Sequence, residues 1–407
     1  MKKLSVNIKK IAAVAIAIMM AMTIFQVFGD EGNTEEESIT SVITYYTDDY
    51  DNPNDDDNNI SDTEDDDDDD TNDTDEESND DSGIEPGECD ENCECEEIIN
   101  LEEYDIPVQA EDIAELKSAI QAAEESGQPA IIALTSPITI PAGDSVEIES
   151  QVPVALTVNS DYRHFVVQSG GSLILGGGIT LTAQDEAGGG VHADGGEFIM
   201  NGGAISGNTM ISGGGVHVDN NGIFTMNGGI ISDNTAIGKD NAHGGGGVNI
   251  GGEALNTRGT FIMTNGTISG NSANNGGGVH VLNGSFTMTG GEIMGNSAIL
   301  GHGVAVRDYS DTINGEITLG GTAKIQGNKS PGSEEEANVL LEVRPTSPGT
   351  HRVITLSAEN PPTCGMVVGV TKIVDSANRG VIVNEGATAE HLSYFKSDAV
   401  DWKVACP

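Results

Sequence analysis

Phe198-Ile-Met-Asn-Gly-Gly-Ala-Ile-Ser-Gly-Asn208 is answered 26 residues later by Phe224-Thr-Met-Asn-Gly-Gly-Ile-Ile-Ser-Asp-Asn234. The pattern returns from Phe261 to Asn271 and from Phe286 to Asn296, and in degenerate form from Ile317 to Asn328. A second motif precedes each copy: Gly-Gly-Gly-Val191-His-Ala, Gly-Gly-Gly-Val216-His-Val, Gly-Gly-Gly-Val248-Asn-Ile, Gly-Gly-Gly-Val279-His-Val and Gly-His-Gly-Val304-Ala-Val. Each unit thus holds three very short strands divided by glycine turns. Side chains alternate along a strand, so Phe224 and Met226 share one face and Thr225 takes the other, Val216 and Val218 point inward, and Ile231 supplies a third inward wall.

A unit of about 25 residues with three inward walls is one coil of a solenoid. No coil closes a core alone; stacking at about 4.8 Å buries each apolar position against its copies above and below. The expected fold is all-β, a right-handed parallel β-helix with five clear coils and a degenerate sixth at Leu173 to Leu181. Phe198, Phe224, Phe261 and Phe286 should form one interior column. The spacing of these phenylalanines, 26, 37 and 25 residues, marks insertions at Gly238 to His243 and Gly252 to Arg258 that should bulge as lateral loops. Asn208, Asn234, Asn271, Asn296 and Asn328 fall at one turn site, where stacked amides bond coil to coil as a structural ladder.

Phe198-Ile-Met-Asn201 followed by Gly202-Gly-Ala-Ile205 resembles the paired Phe-x-x-Asn and Gly-Gly-Ala-Ile repeats of the polymorphic outer-membrane protein family. More broadly it resembles the pectate-lyase-type β-helices of bacterial surfaces. The resemblance spans about residues 185 to 330 and implies a right-handed parallel β-helix and a role in adhesion. Thr264 and Thr289 stand where the family pattern has Asn.

The flanks complete the organisation. Residues 1–29 open with Lys2, Lys3, Lys9 and Lys10, continue with an apolar run from Ile11 to Phe25 and close on Gly29, the pattern of a secretion signal. That leader resembles those of Gram-positive surface proteins, so the expected location is extracellular or at the cell surface, with no membrane span once it is cleaved. Residues 30–98 carry 32 of the chain's 66 acids and no Lys or Arg, which predicts a disordered, extended spacer with at most weak, many-site Ca²⁺ binding. Residues 99–330 hold an N-terminal cap and the β-helix. Within them, Glu111 to Glu125 predicts a capping helix with Ile113, Leu116, Ile120 and Ala123 inward, followed by strands at Ala130 to Leu134, Ile138 to Ile140 and Ser145 to Ile148. Residues 331–407 read as irregular final coils and a β-rich cap containing Tyr394, Phe395 and Trp402. Of the five cysteines, Cys89, Cys93 and Cys95 read as a local or interchain disulfide, and Cys364 and Cys406 are available to each other.

A formal charge of −49 repels phosphate backbones and anionic lipid, which excludes nucleic acid as a partner and leaves divalent cations and basic or neutral surfaces. One lateral file is rich in chemistry: His192, His217, Asn249 and His280 are equivalent outward positions and candidate ligand-binding residues. Asp194 and Asp219 follow two residues later and should lie about 5 Å apart on neighbouring coils. Carboxylates so paired suit Ca²⁺ or the acid and nucleophile of a retaining glycosidase, and the His file suits a transition metal. A second file, Ile199, Thr225, Ile262, Thr287 and Thr318, is flat and β-branched. The coils lack Trp and have only Tyr309 as a tyrosine for stacking sugars. The chain therefore reads as a monomeric, adhesin-like surface protein that needs no cofactor and binds an extracellular protein or polysaccharide. The alternative is a β-helical polysaccharide lyase or glycoside hydrolase.

Overall fold

The computed structural model describes residues 108–398 apart from 159–160, 184–186, 241, 253–256, 308–313, 330–332, 334, 343–352, 373–382 and 384–386. The leader, the acidic tract, Cys89, Cys93, Cys95, Tyr309, Trp402 and Cys406 lie outside these residues; Cys364 is exposed. Among the described residues no helix is long and apolar enough to cross a membrane.

Order begins with strand Val108–Ala110 and helix Ile113–Ser126. Asp112 caps the helix by accepting from the N–H groups of Ala114 and Glu115, and Gly127 ends it at a φ of +67°. Leu116, Ile120 and Ala123 form its buried stripe, laid over the first coil. The chain then winds as a parallel β-helix in which every pair of named strands is parallel. The expected strands over 130–134, 138–140 and 145–148 are all present and open three separate walls.

The Phe wall contains eight strands, from Ser145–Ile148 to Ile354–Leu356. In it Phe198, Phe224, Phe261 and Phe286 pair rung to rung with centroids 4.8, 4.6 and 4.9 Å apart and ring planes within 13° of parallel. Leu173 continues the column on one side and Ile317 and Ile354 on the other. The Ile wall aligns Leu181, Ile205, Ile231, Ile268, Ile293 and Ile325, and the His wall aligns Val191, Val216, Val248, Val279, Val304 and Val339. These columns are completely buried. Burying one such side chain contributes about 1.5–3 kcal/mol, and each is buried only because its neighbours in the column are present.

A fourth, short wall was not anticipated: Thr209–Met210, Thr235–Ala236, Ser272–Asn275 and Ser297–Leu300 pair as a separate sheet. These Ser- and Thr-led pieces are too short and too polar to show a strand period. At the far end, Val367–Lys372 pairs with Lys324–Ile325 of the Ile wall and with Val339–Leu341 of the His wall, so a single strand closes both. Phe395–Ser397 adds one more rung after a one-turn helix, Ala389–Leu392, that the sequence reading had not placed in the cap.

The asparagine ladder is longer than five residues. Each of Asn208, Asn234, Asn271 and Asn296 donates from both its backbone N–H and its side-chain amide to the Oδ1 of the next, at 2.8–3.1 Å. Asn328 does the same to Asn338, and Asn338 donates to both carboxylate oxygens of Asp398.

Candidate functional site

The His wall sets Val166, His192, His217, Asn249, His280 and Ala305 in one row, each opposite the next. A second row two residues on holds Gln168, Asp194 and Asp219. The imidazoles converge on one carboxylate. Nε2 of His192 lies 2.9 Å from Oδ1 of Asp219, and Nε2 of His217 lies 3.4 Å from its Oδ2. The two rings stand 5.0 Å apart, tilted by 56°.

Asn249 fixes the protons in this row. Its Nδ2 donates to the Gly251 carbonyl at 2.9 Å, which orients the amide so that the same nitrogen also donates to Nδ1 of His217 at 3.1 Å. Neutral His217 therefore carries its proton on Nε2 and donates it to Asp219. On the other side Oδ1 of Asn249 accepts from Nδ1 of His280 at 2.8 Å, leaving Nε2 of His280 buried without a partner. Among the described residues, Nδ1 of His192 has no hydrogen-bond partner.

Burial is the largest influence on Asp219 and opposes its ionisation. The hydrogen bonds from His192 and His217 outweigh it and hold the carboxyl well below the usual range. An acid so strong does not protonate a leaving group, so Asp219 is unsuited to the general-acid half of a glycosidase pair. Asp194 is its neighbour in register but has a different partner, accepting from Nδ2 of Asn220 at 2.6 Å. Among the described residues, the group with metal-ligating atoms within 4.8 Å of one another is His192, His217 and Asp219, without Asp194.

Two of the four candidate ligand-binding residues are inaccessible. Asn249 is 1% and His280 0% exposed. Asn249 is enclosed by its row neighbours His217 and His280 and by Gly251, and over His280 the described part of the insertion, 238–240 and 242–243, lies across the wall instead of standing away from it. Asn275 donates from Nδ2 to the carbonyls of Asp240 and His243, Asn274 donates to that of Gly238, and Gly244 presses against the His280 ring. Deprived of water, His280 has its pKa lowered to about 3, first by burial and then by the charge of Arg307.

Arg307 braces this crossing through Asn275, and Arg163 braces the turn at 212–213; neither recurs in the repeat, so neither was legible from it. Arg163 donates to the carbonyls of Gly213 and Ser212 at 2.6 and 2.7 Å, and Arg307 bonds Asn275 and Glu342. Burial lowers the pKa of Arg163 to about 9, against the opposing pull of Asp219. Both terminal nitrogens of Arg163 bond the backbone and the residue is buried, so its guanidinium is not presented to a substrate carboxylate.

The outer face of the Phe wall is built differently. Glu147, Ile174, Ile199, Thr225, Ile262, Thr287, Thr318 and Thr355 form one continuous row, so the file extends beyond the five residues read from the repeat. Beside it run Glu197, Ile223, Thr260, Ser285 and Glu316. Along the other border Asn227 donates to Asn201 at 3.0 Å, and Thr264 donates to Asn227 at 2.9 Å. From Ile174 to Thr318 the central row is half-buried, flat and uncharged.

Comparison with known proteins found no matching family model, no matching characterised protein and no matching solved structure. The resemblance to polymorphic outer-membrane proteins therefore rests on the quoted repeats alone.

Proposed function

We propose that this is a secreted or surface-displayed, adhesin-like protein that presents the outer face of its Phe wall to an extracellular polysaccharide or protein of low charge. The observation that carries this reading is the uncharged row from Ile174 to Thr318 in a chain of formal charge −49. Charge elsewhere repels acidic ligands and keeps the molecules apart. The flat face supplies methyl and hydroxyl groups at a fixed period, and neighbouring strands present them with little further ordering to be lost on binding. The leader and the acidic tract, as read from the sequence, support export and display away from the cell.

The test is a binding screen of the full mature chain on neutral glycans, acidic glycans and extracellular-matrix proteins. Wild type should bind a neutral or weakly charged ligand. Thr225→Lys with Thr287→Lys should weaken that binding at least tenfold while the circular dichroism stays unchanged. Binding to nothing in the panel, or binding indifferent to the two lysines, would remove the proposal.

One observation favours a second reading, a polysaccharide lyase or hydrolase of the pectate-lyase-like kind. Asp219 orients His192 on a lateral face, with no partner for Nδ1 among the described residues, as a carboxylate orients a general base. Turnover of a polysaccharide that disappears in Asp219→Asn would establish it. Against it stand the burial of Arg163 and the chain's repulsion of acidic polymers.

A further inference from the structure

We propose that His192, His217 and Asp219 bind one divalent transition-metal ion of the zinc–copper class. The site is independent of the Phe-wall face. Strands Gly189–Asp194 and Val216–Asp219 are locked in register, so the three ligands sit on a rigid frame rather than on loops. Their ligating atoms already lie within 4.8 Å of one another. Metal–ligand bonds of about 2.0–2.2 Å place such atoms about 3–4 Å apart, so small side-chain rotations suffice.

Ligand chemistry selects the ion. Two imidazole nitrogens and one carboxylate suit zinc or copper, whereas Ca²⁺ requires six to eight oxygens, which the described residues of this face do not assemble. The nearby charge of Arg163 opposes weakly held cations and favours ions that gain most from nitrogen. Val166 and Asn249 occupy the same row on the flanking coils, which confines the site to one pair of rungs. His192, His217 and Asp219 are 26%, 18% and 14% exposed, which leaves room for water in the remaining coordination position.

The proton positions assign unequal roles to the two histidines. His192 can carry its proton on Nδ1, for which no partner is seen among the described residues, and so frees Nε2 for the metal at the cost of its hydrogen bond to Asp219 alone, which the shared ion replaces. His217 can free its Nε2 only by carrying the proton on Nδ1, which now faces the Nδ2 donor of Asn249. The Asn249 amide must turn over, giving up its bond to Gly251, before His217 completes the set. His192 and Asp219 are thus the primary ligands, and Asn249 sets the affinity through His217. An Asp at position 249 would accept from Nδ1 of His217 and reproduce the carboxylate–histidine–metal relay.

The experiment is a Zn²⁺ titration of the full chain followed by the imidazole ¹⁵N resonances, which neither carboxylates of the acidic tract nor thiols contribute to. Before zinc, His217 should show the Nε2–H tautomer. One equivalent of zinc should shift Nε2 of His192 and His217 and leave His243 and His391 unmoved. Asp219→Asn should weaken binding at least tenfold, and Asn249→Asp should tighten it about tenfold. No shift at His192 in wild type with excess zinc, or equal shifts at His243 and His391, would overturn the proposal without recourse to any variant.

Discussion

A single asparagine in the ladder does more than fill a turn. Asn271 accepts from the backbone and side chain of Asn234 while donating to Asn296 and to the carbonyls of Ile231 and Ser269. Asn208, at the start of the row, makes the donor bonds but has a buried Oδ1 without any partner. Asn271→Ala strands the buried N–H of Asn234, and Asn208→Ala strands no N–H. A group left bare costs about 1–3 kcal/mol, so Asn271→Ala should lower stability in urea denaturation by at least that much more than Asn208→Ala does. Equal losses at the two positions would show that the ladder contributes packing alone. Each amide points one N–H to the next asparagine toward the C-terminal end, where Asn338 closes the row on the carboxylate of Asp398. That terminus was not legible in the sequence, because Asn338 and Asp398 lie 60 residues apart and outside the repeat.

At the scale of strands and turns, the inward columns could be read directly from Phe198, Phe224, Phe261 and Phe286, since a residue that recurs in step with its coil has one place to go. The chemistry of the His wall could be read only halfway. The repeat identifies His192, His217, Asn249 and His280 as equivalent, but equivalence in the rung does not fix exposure, which depends on where the insertion at 238–243 comes to rest. The glycine triplets carry a similar lesson. Read as turns requiring a left-handed backbone, they show that conformation at Gly213, Gly245 and Gly276, with φ of +58°, +67° and +58°. The next two glycines are demanded by space instead: a Cβ on Gly246 would lie 2.5 Å from the carbonyl oxygens of both Gly277 and Ser272. Backbone of the adjoining coil cannot yield as a side chain does. Gly246→Ala should therefore lower the melting temperature more than Gly143→Ala, whose φ is +91° but whose Cβ would meet nothing within 4 Å. The opposite order would mean that the coils stand further apart than described.

For the whole molecule, stability is a property of the stack. Each coil contributes three or four short strands with no core of its own, and the ends are closed by the helix Ile113–Ser126 and by the strand Phe395–Ser397 with its Asp398 contact. Such an assembly has a rise set by strand spacing and indifferent to the number of residues in a coil, so insertions alter the outline and leave the axis untouched. Spin labels on the outward row of the Phe wall read this rise directly. Ile174 paired in turn with Thr287, Thr318 and Thr355 spans four, five and six rungs. Pulsed electron–electron distances should centre near 19, 24 and 29 Å, each step adding about 4.8 Å. Distances that departed from a step of about 4.8 Å per rung, or that spread broadly for any pair, would contradict a stacked parallel solenoid.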